Sequence, residues 1–127
     1  MIWTMIQVAL GGAIGAVGRY LTGVAGVRMF GAGFPVGTLT VNVVGSFLMG
    51  LAFVLLMTRG GDAPRLSPFL MTGVLGGFTT FSAFSLDLWT LFDRGRYVAG
   101  GLYFGGSVGL SVLALILGIS LARVLVG

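Results

Sequence analysis

The sequence predicts an all-α membrane protein with four transmembrane helices per chain, the third of them broken at mid-membrane. Composition is the first reason. The 127 residues have a mean hydropathy of +1.10, with 57% hydrophobic and only 8% charged side chains. A soluble domain carries roughly 25% charged residues, so this surface suits lipid rather than water. The second reason is spacing: the few charges punctuate four long apolar stretches. The third is a run within the third stretch, Gly76-Gly77-Phe78-Thr79-Thr80, where two glycines and two β-branched threonines make a poor helix interior.

A spanning helix needs about 20 apolar residues. Arg19 interrupts a first stretch from Trp3 to Val27. Arg28 and Arg59 bracket the second, Arg65 and Asp87 the third, Arg96 and Arg123 the fourth. Spans are therefore expected near 4–26, 35–58, 67–92 and 98–123, so that residues 1–127 form a single four-helix transmembrane domain. The loops are short. Gly31-Ala32-Gly33-Phe34-Pro35 makes the first, with Pro35 suited to a helix start. Residues 59–65 make the second and Asp93-Arg94-Gly95-Arg96 the third. Trp3, Trp89, Phe92 and Tyr97 fall near expected interfaces, as an aromatic belt would. No basic region precedes the first apolar stretch, so a cleavable signal is not expected there.

The chain has no Lys, Glu, His or Cys. That excludes the usual zinc and haem sites, a thiol nucleophile and a Ser-His-Asp triad. No nucleophile–base pair can be assembled, and an enzyme is not expected. The net charge of +4 comes from seven Arg against three Asp. These arginines stand singly near segment ends, which fits lipid-headgroup anchoring rather than nucleic-acid binding.

Four spans put both termini on one side. That side carries Arg59, Arg65 and Arg123, while the other carries Arg28, Arg94 and Arg96. Arg19, inside a span, tips the balance only weakly. With no positive-inside bias, the chain can insert both ways unless another determinant fixes it. Two inverted copies then pair about an axis in the membrane plane, as the inverted repeats of transporters do. The expected assembly is an antiparallel dual-topology dimer. The 24 glycines far exceed the usual share of about 7%. Gly11/Gly15, Gly73/Gly77 and Gly101/Gly105/Gly109 recur at the four-residue spacing that lets helix backbones approach in lipid. Helices packed that tightly leave no aqueous route within one chain, so a pathway is expected between subunits.

Polar residues inside spans are expensive and mark function. Arg19 would cost about 2.5–3.5 kcal/mol at a helix centre unless it snorkels to the interface. Thr38, Asn42 and Ser46 repeat every four residues in the second span, and Tyr103, Ser107 and Ser111 do so in the fourth. Each set shares a helix face. Interhelical hydrogen bonding, worth about 0.6 kcal/mol per bond, explains any one of them, whereas two aligned stripes favour a polar track. A break in the Gly76–Thr80 run would expose carbonyls, which are tolerated only where protein, ion or water satisfies them. Broken helices often use such carbonyls to hold a cation, and a Thr could cap the restart. Phe81 and Phe84 follow, three residues apart. They are either ordinary packing residues or a source of positive ring edges for an anion. Cation channels usually present acidic rings, yet Asp87 is the only acid within an expected span. An anion therefore suits the pathway better than a cation.

Three segments carry a family resemblance: Gly11 to Tyr20 (GGAIGAVGRY), Gly37 to Phe47 (GTLTVNVVGSF) and Gly76 to Phe84 (GGFTTFSAF). In this order and spacing they resemble the signatures of the Fluc (CrcB) fluoride channels, and the likeness runs through all four spans. It implies a passive, fluoride-selective channel of the plasma (inner) membrane that exports fluoride and confers fluoride resistance. It implies an antiparallel homodimer with two pores and a central structural Na⁺. By the same resemblance, Phe81 and Phe84 form an aromatic box, Asn42 donates its amide to fluoride, and Thr38, Tyr103, Ser107 and Ser111 line the polar track. Arg19 lies near the pore mouth, and the backbone carbonyls of Gly76 and Thr79 hold the Na⁺. The chain departs from the pattern at Phe78, at Ala83 where a Thr is expected, and at Asp87 where some members have Glu. A small multidrug-type proton-coupled transporter is the rival reading, but it needs a membrane-embedded Glu that this chain lacks. A purely structural membrane protein is the other.

Overall fold

The computed structural model describes residues 1–127. It is all-helical, with four helices long and apolar enough to cross a membrane: Ile2–Phe30, Val36–Met57, Ala63–Asp93 and Tyr97–Val126. The first, third and fourth run further at both ends than the expected spans. Their terminal turns carry Arg28, Asp93, Tyr97 and Arg123, which belong at headgroup level.

Helix α1 (Ile2–Phe30) stops at Gly31, whose φ of 77° is easy only for glycine. Its N–H closes the helix on the Val27 carbonyl at 2.8 Å. Helix α2 (Val36–Ala52) begins after Pro35 and continues as a π-helical turn, Phe53–Met57. The third span is composite. A 3₁₀ turn (Ala63–Leu66) leads into a π-helical segment (Pro68–Leu75) and a short α3 (Gly76–Phe78). Helix α4 (Phe81–Asp93) then follows, and α5 (Tyr97–Val126) is uninterrupted.

The interruption in the third span falls at Thr79–Thr80, the threonine half of the Gly76–Thr80 run. Gly76 keeps helical angles (φ −64°, ψ −37°), whereas Thr79 and Thr80 are extended (−87°, 157° and −154°, 126°). The cause lies on α2. The Asn42 amide accepts the Thr80 N–H at 2.8 Å and donates to the Thr80 carbonyl at 3.0 Å. It replaces both helical bonds that Thr80 gives up, which a backbone in lipid requires. The Thr80 hydroxyl then accepts the Ala83 N–H at 3.1 Å and caps α4.

Glycine packing sets the helix positions. A Cβ on Gly15 would lie 2.7 Å from the Phe78 nitrogen, and one on Gly77 2.7 Å from the Gly12 carbonyl oxygen. Gly11, Gly15, Gly73 and Gly77 are thus the seam that holds α1 against the third span. Gly101, Gly105 and Gly109 meet nothing within 4 Å of where a Cβ would stand, so α5 turns that stripe away from its own chain. Only 18 of 127 residues are buried, leaving broad apolar faces for lipid or a second chain. The aromatic core (Phe84, Leu91 and Tyr103, with Phe34, Leu39, Leu88 and Ala99 against it) sits where α4, α5 and the first loop meet.

Candidate ion pathway at the helix break

The Asn42–Thr80 pairing forms one wall of a cavity of about 340 Å³. Asn42 and Ser46 from α2, Thr79 to Phe81 and Phe84 from the break and α4, and Ser107, Val108, Ser111 and Val112 from α5 line it. Six of the ten residues are polar. Asn42 carries two amide donors, and the paired contacts with Thr80 fix which end of the amide faces the break. One N–H serves the Thr80 carbonyl; the other has no partner in the chain.

Ser107 and Ser111 stand one turn apart on the same wall. Both hydroxyl oxygens are buried and have no hydrogen-bond partner in the chain. A helical hydroxyl ordinarily turns back to the carbonyl four residues earlier. Thr22, Thr40, Thr79, Ser85 and Thr90 all do so here, at 2.8–2.9 Å. Ser107 and Ser111 do not, and each buried unpaired hydroxyl costs about 1–3 kcal/mol. Such a cost is recovered if a ligand in the cavity accepts the two O–H groups.

The aromatic pair closes the same space. Phe84 is 5% exposed and Phe81 77% exposed, with ring centroids 5.5 Å apart at 47°. Phe84 is fixed in the core, whereas Phe81 stands at the open rim. Ring edges carry positive potential. Amide N–H, hydroxyls and ring edges together offer donors and no negative charge, the set a small anion needs.

The remaining candidates fall around this cavity. Arg19 ties α1 to the third span: its Nε donates to the Gly77 carbonyl at 3.1 Å. It lines a second cavity of about 600 Å³ with Arg28, Thr38, Thr80 and Ala83. Thr80 borders both cavities, so they adjoin at the break. Thr38 therefore lies beyond Thr80 from Asn42 and Ser46, although the three share a helix face. Tyr103 is wholly buried, and its hydroxyl donates to Asp87 Oδ2 at 3.1 Å. It belongs to the aromatic core behind Phe84 and not to the lining that Ser107 and Ser111 share.

The break also changes the backbone acceptors. The Thr80 N–H goes to Asn42, which releases its helical acceptor, the Gly76 carbonyl. The Gly77 carbonyl is taken by Arg19. Gly76 is exposed on the chain's surface and Thr79 is extended. No group of three or more His, Cys, Asp or Glu is placed to hold a metal.

Two participants escaped the sequence reading. Thr80 is the partner that Asn42 holds, and Phe34 packs on Tyr103. The two Thr that follow Gly76-Gly77-Phe78 did suggest a cap, but nothing local singles out Thr80 as the residue another helix would grip. Phe34 read only as part of a turn.

Residues 6–119 match the family described as "CrcB-like protein, Camphor Resistance (CrcB)". The chain is similar to proteins named "Fluoride-specific ion channel FluC". It is 58% identical over 123 residues to that of Cereibacter sphaeroides (strain ATCC 17029 / ATH 2.4.9), with 97% of each chain covered. It is 60% identical over 124 residues to that of Ruegeria sp. (strain TM1040), again with 97% of each covered. For Rhizobium etli (strain CIAT 652) the identity is 54% over 124 residues, covering 95% of this chain and 99% of the relative.

Proposed function

The chain belongs to the CrcB-like family, and from that premise we propose that it is a fluoride-selective passive channel that lets fluoride leave the cytoplasm across the inner membrane. It is not an enzyme. One observation carries the ion path: Ser107 and Ser111 present buried, unpartnered hydroxyls to a cavity shared with Asn42, Phe81 and Phe84. Fluoride is small and tightly hydrated, so a pathway must replace its water with closely set donors. Two hydroxyls one turn apart, the free Asn42 N–H and the phenylalanine edges do that. Chloride is larger and binds such donors less strongly. Transport needs no coupled energy, because an anion moving down the membrane potential gains about 2.3 kcal/mol per 100 mV.

The working unit in this reading is an antiparallel homodimer with two pores. The charge balance of the loops supports it, and so do the exposed Phe81 and Gly76 and the open side of the cavity. A second, inverted copy would close that side. The break then lies at mid-membrane, and the released Gly76 carbonyl with that of Thr79, from both copies, suits a structural Na⁺. That ion would supply a fixed charge joining the two broken helices. Thr38, Arg19 and Tyr103 serve the approach to the pore rather than its narrowest part. The multidrug-transporter reading gains nothing from the structure: Asp87 already receives the Tyr103 hydroxyl.

Purified protein in vesicles loaded with equal fluoride and chloride tests the function. Fluoride should leave rapidly while chloride stays. Fluoride release no faster than from empty vesicles, or equal loss of both ions, contradicts the reading.

A further inference from the structure

We propose that Phe34 is a positioning residue for the ion path, held in place by a strap between the first and third loops; this rests on the channel reading above. The Phe34 ring meets Tyr103 edge-on, with centroids 5.5 Å apart at 86°. Tyr103 lies 5.2 Å from Phe84, and Phe84 lies 5.5 Å from Phe81. Four rings therefore run without a gap from the first loop to the rim of the cavity. Tyr103 has no exposed surface, and its hydroxyl is fixed on Asp87. Its ring takes the one place that Phe34 on one side and Phe84 on the other leave it. Ser107 follows one turn later on the same face of α5.

No helix holds Phe34. It precedes Pro35, which keeps its backbone extended, and its carbonyl accepts only the short-range Val36 N–H at 2.8 Å. The long-range tie is Arg96, whose Nη1 donates to the Gly33 carbonyl. Arg96 is itself anchored, its own N–H bonded to the Leu91 carbonyl at 2.9 Å. The strap thus fastens the loop bearing Phe34 to the end of α4, the helix bearing Phe81 and Phe84. Phe34 also borders a cavity of about 220 Å³ with Thr38 and Asp87. Without its ring that space extends to Tyr103, which can then turn and let the Phe84 edge drift from the pore.

The test is the initial rate of fluoride efflux from vesicles, with each variant first checked for the wild-type elution volume in detergent. Phe34→Ala should lower the rate between about twofold and tenfold, the scale of one aromatic pair, and Arg96→Gln should lower it too. The Phe34→Ala/Arg96→Gln pair should be no slower than Phe34→Ala alone, because both act through one ring. Phe34→Trp should keep the wild-type rate. Where Phe34→Ala does not fold, Phe34→Leu, apolar but without a ring edge, gives the same reading. Wild-type rates in Phe34→Leu and Arg96→Gln, or losses that multiply in the pair, overturn the strap. Wild-type vesicles that release no fluoride overturn the channel reading itself, so the two failures are told apart.

Discussion

Asn42→Ala should lose fluoride flux and fold stability together. Its side chain satisfies both backbone groups of Thr80. Removing it leaves two part-buried groups unpaired, each costing at most about 1–3 kcal/mol, so up to about 6 kcal/mol is at stake. The chain can recover part of that only by returning the Thr80 N–H to the Gly76 carbonyl. That continues the helix through residues 79 and 80 and rotates α4, carrying Phe81 and Phe84 out of register with Ser107 and Ser111. Flux should then fall to the level of empty vesicles, and the midpoint of thermal unfolding in detergent should drop. Asn42→Asp separates the two effects. Its carboxylate can still accept the Thr80 N–H, so it should unfold at a higher temperature than Asn42→Ala. It also places negative charge in the cavity and should conduct no better. An Asn42→Ala protein with wild-type flux would detach the helix break from function.

Replacing Ser107 and Ser111 with Ala should do the reverse to stability. Neither hydroxyl has a protein partner, so truncation removes a desolvation cost and breaks no bond. The unfolding midpoint should hold or rise. Flux should fall, because a hydrogen bond to a charged group is worth about 1.5–3 kcal/mol, or roughly ten- to hundredfold in rate for each hydroxyl that fluoride must use. Few residues of a packed core behave this way, since removing a structural hydrogen bond lowers stability and leaves transport to follow. Efflux and thermal unfolding measured on the same Ser107→Ala/Ser111→Ala sample distinguish the cases. A destabilised protein with normal flux would make the serines interhelical glue.

What the sequence revealed and what it hid divide along one physical line. The four helices were legible because arginines and aspartates end apolar stretches, and lipid permits little else. The polar stripes were legible because period fixes which residues share a face. Period does not say what that face meets. Thr38, Asn42 and Ser46 share one, yet Thr80 stands between them and sends Thr38 to a neighbouring cavity. Propensity placed the break in the Gly76–Thr80 run without saying which of its residues leave the helix. It falls at Thr79–Thr80 because its determinant is Asn42, 38 residues away in sequence. Arg19 was legible as an expense, but its partner, the Gly77 carbonyl, lies 58 residues on. Arg96 looked like a headgroup anchor and proves to tie two loops. In each case composition marked the costly group, and only the tertiary contact says how the cost is met.

The decisive measurement is the reversal potential of the wild-type protein in a planar bilayer, with a fluoride gradient imposed and chloride equal on both sides. Donors matched to fluoride alone predict a potential that follows the fluoride gradient, about 59 mV for each tenfold step, and stays there when chloride is added to one side. A potential that sits at zero, or moves with the added chloride, would contradict the account.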